Sequence, residues 1–163
     1  MRPADDIERA VGEHGDTVWR VCVLSLRHEG DAQDAFQDTF MKYALADGAD
    51  FHDEEHRKAW LIRVATNTCR DALRRASRRL RADAGEPLED LLVSRDPQAQ
   101  PGSAVHEVMD ALRSLDDPPR TPLYLSVYEG YTAPEIAEMV DAPVNTVYSW
   151  IARGRQRLRE VLS

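Results

Sequence analysis

Apolar residues return along this chain at helical spacing, and strand-like alternation is missing throughout. Ile7, Ala10, Val11, Val18, Val21 and Cys22 form a first stripe, which Gly12 to Gly15 predict to be interrupted. Gly30 predicts the end of that element. Asp31 predicts the cap of the next, its carboxylate accepting a free backbone N–H. Ala35, Phe36, Phe40, Tyr43 and Ala44 follow as the buried face of a second helix. Trp60, Leu61, Val64, Ala65, Thr68, Ala72 and Leu73 then predict a helix of about seven turns over 55–80. Val105, Val108, Met109, Leu112 and Leu115 mark a further amphipathic helix, which Pro118 and Pro119 break. The expected fold class is all-α.

The last 32 residues carry the most specific pattern. Thr132-Ala133-Pro134-Glu135 is a capping box: the threonine hydroxyl satisfies an orphan N–H while the glutamate reaches back. Asp141-Ala142-Pro143 makes a turn, and Pro143 is placed to open the next helix. In that helix, over 143–161, Val147, Ile151, Gly154 and Leu158 share one face. Asn145, Tyr148, Ser149, Ala152, Arg153 and Gln156 share the other, with Arg155, Arg157 and Arg159 continuing toward the end. A short helix, a turn and a second helix with polar tips is the helix-turn-helix plan. Its second helix fits the DNA major groove, where amide, hydroxyl and guanidinium groups reach base edges. A helical hairpin used only for protein packing is the competing explanation.

Charge sharpens the picture. The 163 residues carry a formal net charge of −8, which an even spread would set against nucleic-acid binding. The spread is uneven. Residues 1–56 carry 5 Lys/Arg against 14 Asp/Glu, and 57–81 carry 9 against 1. Residues 82–141 then carry 3 against 13, and 142–163 carry 4 against 1. Two basic blocks between acidic ones predict two polyanion contacts, the competing reading being two solvated helix faces. Residues 82–103, with three prolines and two glycines, predict a flexible acidic linker between domains at 1–81 and 104–163, although Leu88, Leu91 and Leu92 could form one helical turn. Extended, it would reach on the order of 70 Å. No apolar run approaches the roughly 18 residues of a membrane span, and Met1 to Asp6 lack the character of a secretory signal. Cys22 and Cys69 sit in apolar stripes without metal-ligand spacing, so neither a disulfide scaffold nor a zinc site is expected. A reducing, cytoplasmic compartment is the simpler reading.

With these residues on the page, the stretch EGYTAPEIAEMVDAPVNTVYSWIARGRQRLREVL resembles region 4 of bacterial sigma factors. DAQDAFQDTFMKY (31–43) and KAWLIRVATNTCRDALRR (58–75) resemble region 2. Possessing only these two regions, the chain resembles an extracytoplasmic-function sigma factor. The resemblance implies a non-enzymatic subunit without cofactors or metal that binds core RNA polymerase and directs it to promoter DNA. It also implies a cognate anti-sigma factor and no membrane insertion. Asp34, Gln37, Asp38 and Met41, opposite Phe36 and Phe40, would dock on the clamp helices of the largest polymerase subunit.

The 58–75 stretch would open and hold the −10 element, exposed as a single strand. That chemistry needs cations for phosphates and aromatic or amide groups for bases. Arg57, Lys58, Arg63, Arg70, Arg74, Arg75, Arg78 and Arg79 supply the first; Asn67, with Phe51 as a further candidate, supplies the second. Trp60 reads as a core anchor. Asn145, Tyr148, Ser149, Ala152, Arg153, Gln156 and Arg157 would read the −35 duplex. The linker would thread toward the RNA-exit path, its acidity imitating RNA, although a solvated tether has the same composition. Two departures stand out: aromatic Tyr148 and Trp150 occupy positions where the family usually has cations, and Ser126 stands where it often has arginine.

Two rival readings remain open on the residues. A stand-alone helix-turn-helix regulator explains the C-terminus but leaves 31–43 and 57–81 without a role. A metallohydrolase is raised by His52-Asp-Glu-Glu-His56, but Asp53 stands where the zinc-protease pattern needs glutamate, and no third ligand is evident.

Overall fold

A computed structural model describes residues 1–79, 104–115 and 119–162, and the chain divides into two compact units, Met1–Arg95 and Asp96–Ser163. All the regular structure among the described residues is helical. The first unit contains α1 (Ala4–Ser25), α2 (Glu29–Leu45) and α3 (Glu54–Arg79), each packed on the other two. Their shared core is Val18, Trp19, Val21, Cys22 and Val23 from α1, Ala35, Phe36, Phe40 and Tyr43 from α2, and Leu61, Ile62, Ala65 and Cys69 from α3. Trp19 meets Phe36 edge-on at 5.9 Å, and Phe36 meets Phe40 at 5.2 Å. Cys22 and Cys69 are buried free thiols. Their mutual contact, and then burial, push the Cys22 thiol well above its ordinary value.

Three local expectations for this unit are corrected. The predicted interruption at Gly12 to Gly15 does not occur: α1 runs unbroken through both glycines. A glycine in a helix interior costs about 1 kcal/mol. That is outweighed by the apolar stripe that follows, and Gly15 itself is buried against Phe36. Second, α2 begins three residues earlier than predicted, with His28 at the cap position making no side-chain cap bond. Gly30 and Asp31 therefore lie inside its first turn, where the aspartate still meets the positive end of the helix dipole. Third, Leu73, expected in the buried stripe of α3, is 47% exposed. The packing face has rotated past it, leaving Cys69 and Ala72 as its last core contacts.

The second unit contains α4 (Ala104–Arg113), α5 (Arg120–Val127), α6 (Ala133–Val140) and α7 (Val144–Leu162). Both arms of the capping box are formed: the Glu135 backbone N–H donates to Thr132 Oγ1, and the Thr132 N–H donates to Glu135 Oε1 at 2.9 Å. Gly130 precedes it at φ 81°, a conformation that favours glycine. Asp141 ends α6 in the left-handed region at φ 54°, and the Pro143 carbonyl accepts the first α7 hydrogen bond, from the Val147 N–H. This turn sets α7 against α5 and α6, with Ile136, Val147, Leu123 and Tyr124 fully buried between them. The expected linker at 82–103, its possible turn at Leu88 to Leu92, and the Pro118 break lie outside the described residues.

Candidate nucleic-acid interface

The turn at Asp141 fixes which side of α7 packs. Val147, Gly154 and Leu158 are buried and Ile151 is half-buried. Helical geometry therefore sends Asn145, Tyr148, Ser149, Ala152, Arg153, Gln156 and Arg157 outward, and all seven are exposed. At 1.5 Å per residue, Asn145 to Arg157 spans roughly 18 Å, enough to lie along a major groove. Tyr148 is 55% exposed, whereas Trp150 is half-buried at the edge of the packed stripe. Arg155 leans the other way: its Nη2 donates to Ser126 Oγ at 3.1 Å, linking α7 to α5. Serine at 126 thus serves to position an arginine from the neighbouring helix.

On α3, Arg63, Asn67, Arg70, Arg74 and Arg78 follow one another at spacings of four, three, four and four, forming one solvent-facing stripe. Arg63, Arg74, Arg75 and Arg78 are exposed; Lys58, Asn67 and Arg70 are half-buried. Arg74 also pairs with Asp71 at 3.6 Å, a surface contact of little strength. Asn67 lies among the cations, where an amide could hydrogen-bond an exposed base edge.

Arg57 and Phe51 are placed differently from the other candidates. The Arg57 side chain is 16% exposed; its Nε donates to Glu54 Oε2 at 2.9 Å and its Nη1 to the Tyr43 hydroxyl at 2.6 Å. Phe51 is half-buried and packs against Arg2, Tyr43, Arg57 and Trp60, so much of its ring already has protein partners. Trp60 is the half-buried anchor of that group. The sequence signal for this network was incomplete. The Glu54–Arg57 pair at i,i+3 was legible, but Tyr43 and Asp6 join it from distant positions.

The same network carries a measurable consequence. The Tyr43 hydroxyl donates to Asp6 Oδ1 at 2.6 Å, and Arg2 Nη1 donates to Asp6 Oδ2 at 3.1 Å. The Tyr43 bond first, then Arg2, hold the Asp6 carboxyl below its ordinary 3.8. Asp6 therefore stabilises the folded unit above that value, and the contribution disappears as pH falls through the lowered native value. Asp6→Asn is expected to cost about 1–3 kcal/mol near pH 7, with the gap from wild type narrowing below about pH 4. Urea unfolding from pH 7 to pH 3 measures both; a gap constant over that range would remove Asp6 from the account.

The His52–His56 motif resolves into a helix start. Asp53 Oδ1 accepts the His56 backbone N–H at 2.7 Å, and the His52 N–H donates to His56 Nδ1 at 3.3 Å. The rings stack at 4.2 Å instead of converging on a common point. This is a capping arrangement at the beginning of α3.

On α2, Phe36, Thr39, Phe40 and Tyr43 point inward, and Asp34, Gln37, Asp38 and Met41 are all exposed. Leu45, 61% exposed, extends this surface. A groove of about 340 Å³, lined by Asp31, Asp34, Ala35, Ala72, Arg75 and Arg78, joins it to the basic end of α3. No helix among the described residues is long and apolar enough to cross a membrane.

Residues 10–79 match sigma-70 region 2, and residues 106–158 match sigma-70 region 4. The helical units and their two outward-facing cationic helices thus define a transcription-initiation factor of the sigma-70 class. The ECF RNA polymerase sigma factor SigM of Mycobacterium tuberculosis is 33% identical over 149 residues, covering 91% of this chain and 73% of SigM. SigW of Bacillus subtilis is 27% identical over 165 residues, covering 90% and 83%. The sigma factor RpoE, solved in complex with the anti-sigma factor NepR from Bartonella quintana, shares the fold at a TM-score of 0.71 and 22% identity, with 98% of each chain covered. The chain belongs to the extracytoplasmic-function (ECF) RNA polymerase sigma factors. It directs core RNA polymerase to promoters and makes no bonds itself. The region 2 match also answers the stand-alone regulator, because it covers the segments that reading left without a role.

Proposed function

We propose a division of labour among three surfaces, in which residues 1–81 serve polymerase and −10 binding and 104–163 serve −35 binding. The exposed face of α7 (Asn145, Tyr148, Ser149, Ala152, Arg153, Gln156 and Arg157) reads the −35 duplex. The α3 stripe (Lys58, Arg63, Asn67, Arg70, Arg74 and Arg75) holds the −10 strand as it is opened. Asp34, Gln37, Asp38 and Met41 dock on the polymerase clamp. Arg57 contributes by fixing the start of α3, since its guanidinium is already engaged by Glu54 and Tyr43.

The observation carrying this reading is that all seven α7 residues are exposed while Val147, Gly154 and Leu158 on the opposite side are buried. That face gathers amide, hydroxyl and guanidinium groups, the chemistry that meets base edges and phosphates. The wider assembly includes a cognate anti-sigma factor, supported by the complex in which the RpoE fold was solved, and the protein acts in the cytoplasm.

The test separates opening from binding. Asn67→Ala holoenzyme is expected to open a linear promoter several-fold more slowly than wild type, yet to act almost normally on a template already melted across −10. Permanganate footprinting reads both. An equal loss on the two templates would show that Asn67 takes no part in capturing bases during opening.

A further inference from the structure

Glu13 and His14 on α1 meet Glu54, the first residue of α3, on the side of its carboxylate opposite the Arg57 contact. One candidate ligand atom from each lies within 4.8 Å of the other two. His14 is 7% exposed, and its Nε2 stands 3.0 Å from Glu54 Oε1 and 3.9 Å from Glu13 Oε2. Around a tetrahedral zinc ion with ligands at about 2.0–2.1 Å, neighbouring ligand atoms are about 3.3 Å apart. The two separations from His14 bracket that value, and the third, between the carboxylates, is no more than 4.8 Å, so closing on one ion would draw the two glutamates together.

We propose that Glu13, His14 and Glu54 bind one divalent cation of the zinc class, clasping α1 to the start of α3. One imidazole nitrogen with carboxylate oxygens is a donor set for a borderline cation, whereas magnesium favours six oxygens, several from water. His14 and Arg57 already share the Glu54 carboxylate, and a cation at this point would draw the Glu13 carboxylate into the same network. Glu54 can supply Oε1 without releasing Arg57, which holds the other oxygen, Oε2. The metal takes the place of the hydrogen between Nε2 and Oε1, so the ring carries its remaining hydrogen on Nδ1. Glu13 and Glu54 are about half exposed, which leaves the outer coordination position to water.

Calorimetric titration of the full chain with zinc chloride tests this, with thermal unfolding read in parallel. Expected are one saturable equivalent, a rise in melting temperature with zinc, and no response to magnesium. Glu13→Gln, an exposed change that should leave folding intact, weakens binding about tenfold or more, as does His14→Gln. His52→Gln and His56→Gln leave it unchanged. Absence of saturable binding, retention of it in both Glu13→Gln and His14→Gln, or its loss in the His52 or His56 variants would each overturn the proposal.

Discussion

Reversing two charges on the outer face of α2, Asp34→Arg with Asp38→Arg, is expected to weaken association with core RNA polymerase by about a hundredfold or more. The reasoning starts from the helix. Phe36, Phe40 and Tyr43 commit one side of α2 to the core, so Asp34 and Asp38 are exposed on the other and can be changed without opening a cavity. If this face meets a basic surface of the clamp, each reversal replaces attraction by repulsion, and juxtaposed like charges cost several kcal/mol. Circular dichroism and the melting temperature should change little, because surface substitutions away from packed groups usually lie within about 0.5 kcal/mol. Size-exclusion co-elution with core enzyme reads the effect. Intact association combined with weaker promoter opening would instead assign these acids to the DNA side, through the groove that Asp34 shares with Arg75 and Arg78.

The second large effect is expected from Arg153→Ala with Arg157→Ala. Both side chains are exposed on the outward face of α7 and lie outside the buried stripe. Charge-assisted hydrogen bonds to phosphate are worth about 1–3 kcal/mol each, so holoenzyme affinity for a −35 duplex should fall at least tenfold. Each lost phosphate contact also removes about 0.9 from the slope of log affinity against log salt, giving a slope shallower by about 1.8 for the pair. Association with core polymerase should be unchanged. A loss of affinity with an unaltered salt slope would mean that the arginines act without neutralising phosphates.

Much of this arrangement was legible in the residue order, and the reasons differ by element. The face of α7 follows from the spacing of Val147, Gly154 and Leu158, and its entry from a local capping box and a proline turn, so short-range rules sufficed. Elements whose outcome depends on distant partners were less legible. The glycines at 12 and 15 argue locally for a break, but burial of Val18, Trp19 and Cys22 against the other helices carries α1 straight through. Arg57 belongs to a basic block by sequence, yet it is captured by Tyr43, fourteen residues earlier, and by a tyrosine–aspartate bond spanning 37 positions. Phe51 packs on Tyr43 and Arg2 for the same reason. The clustering of Glu13 and His14 with Glu54 likewise exists only once α1 and α3 are packed.

The most direct test is reconstituted transcription: core RNA polymerase, this chain and a library of genomic fragments, with transcript starts mapped. Recognition through α3 and α7 together predicts initiation at discrete starts that share two upstream sequence blocks, dependent on the chain. The Arg153→Ala, Arg157→Ala pair should blur the block farther from the start and spare the nearer one. Starts that appear equally without the chain, or that share only one block untouched by that substitution, would contradict the two-surface account.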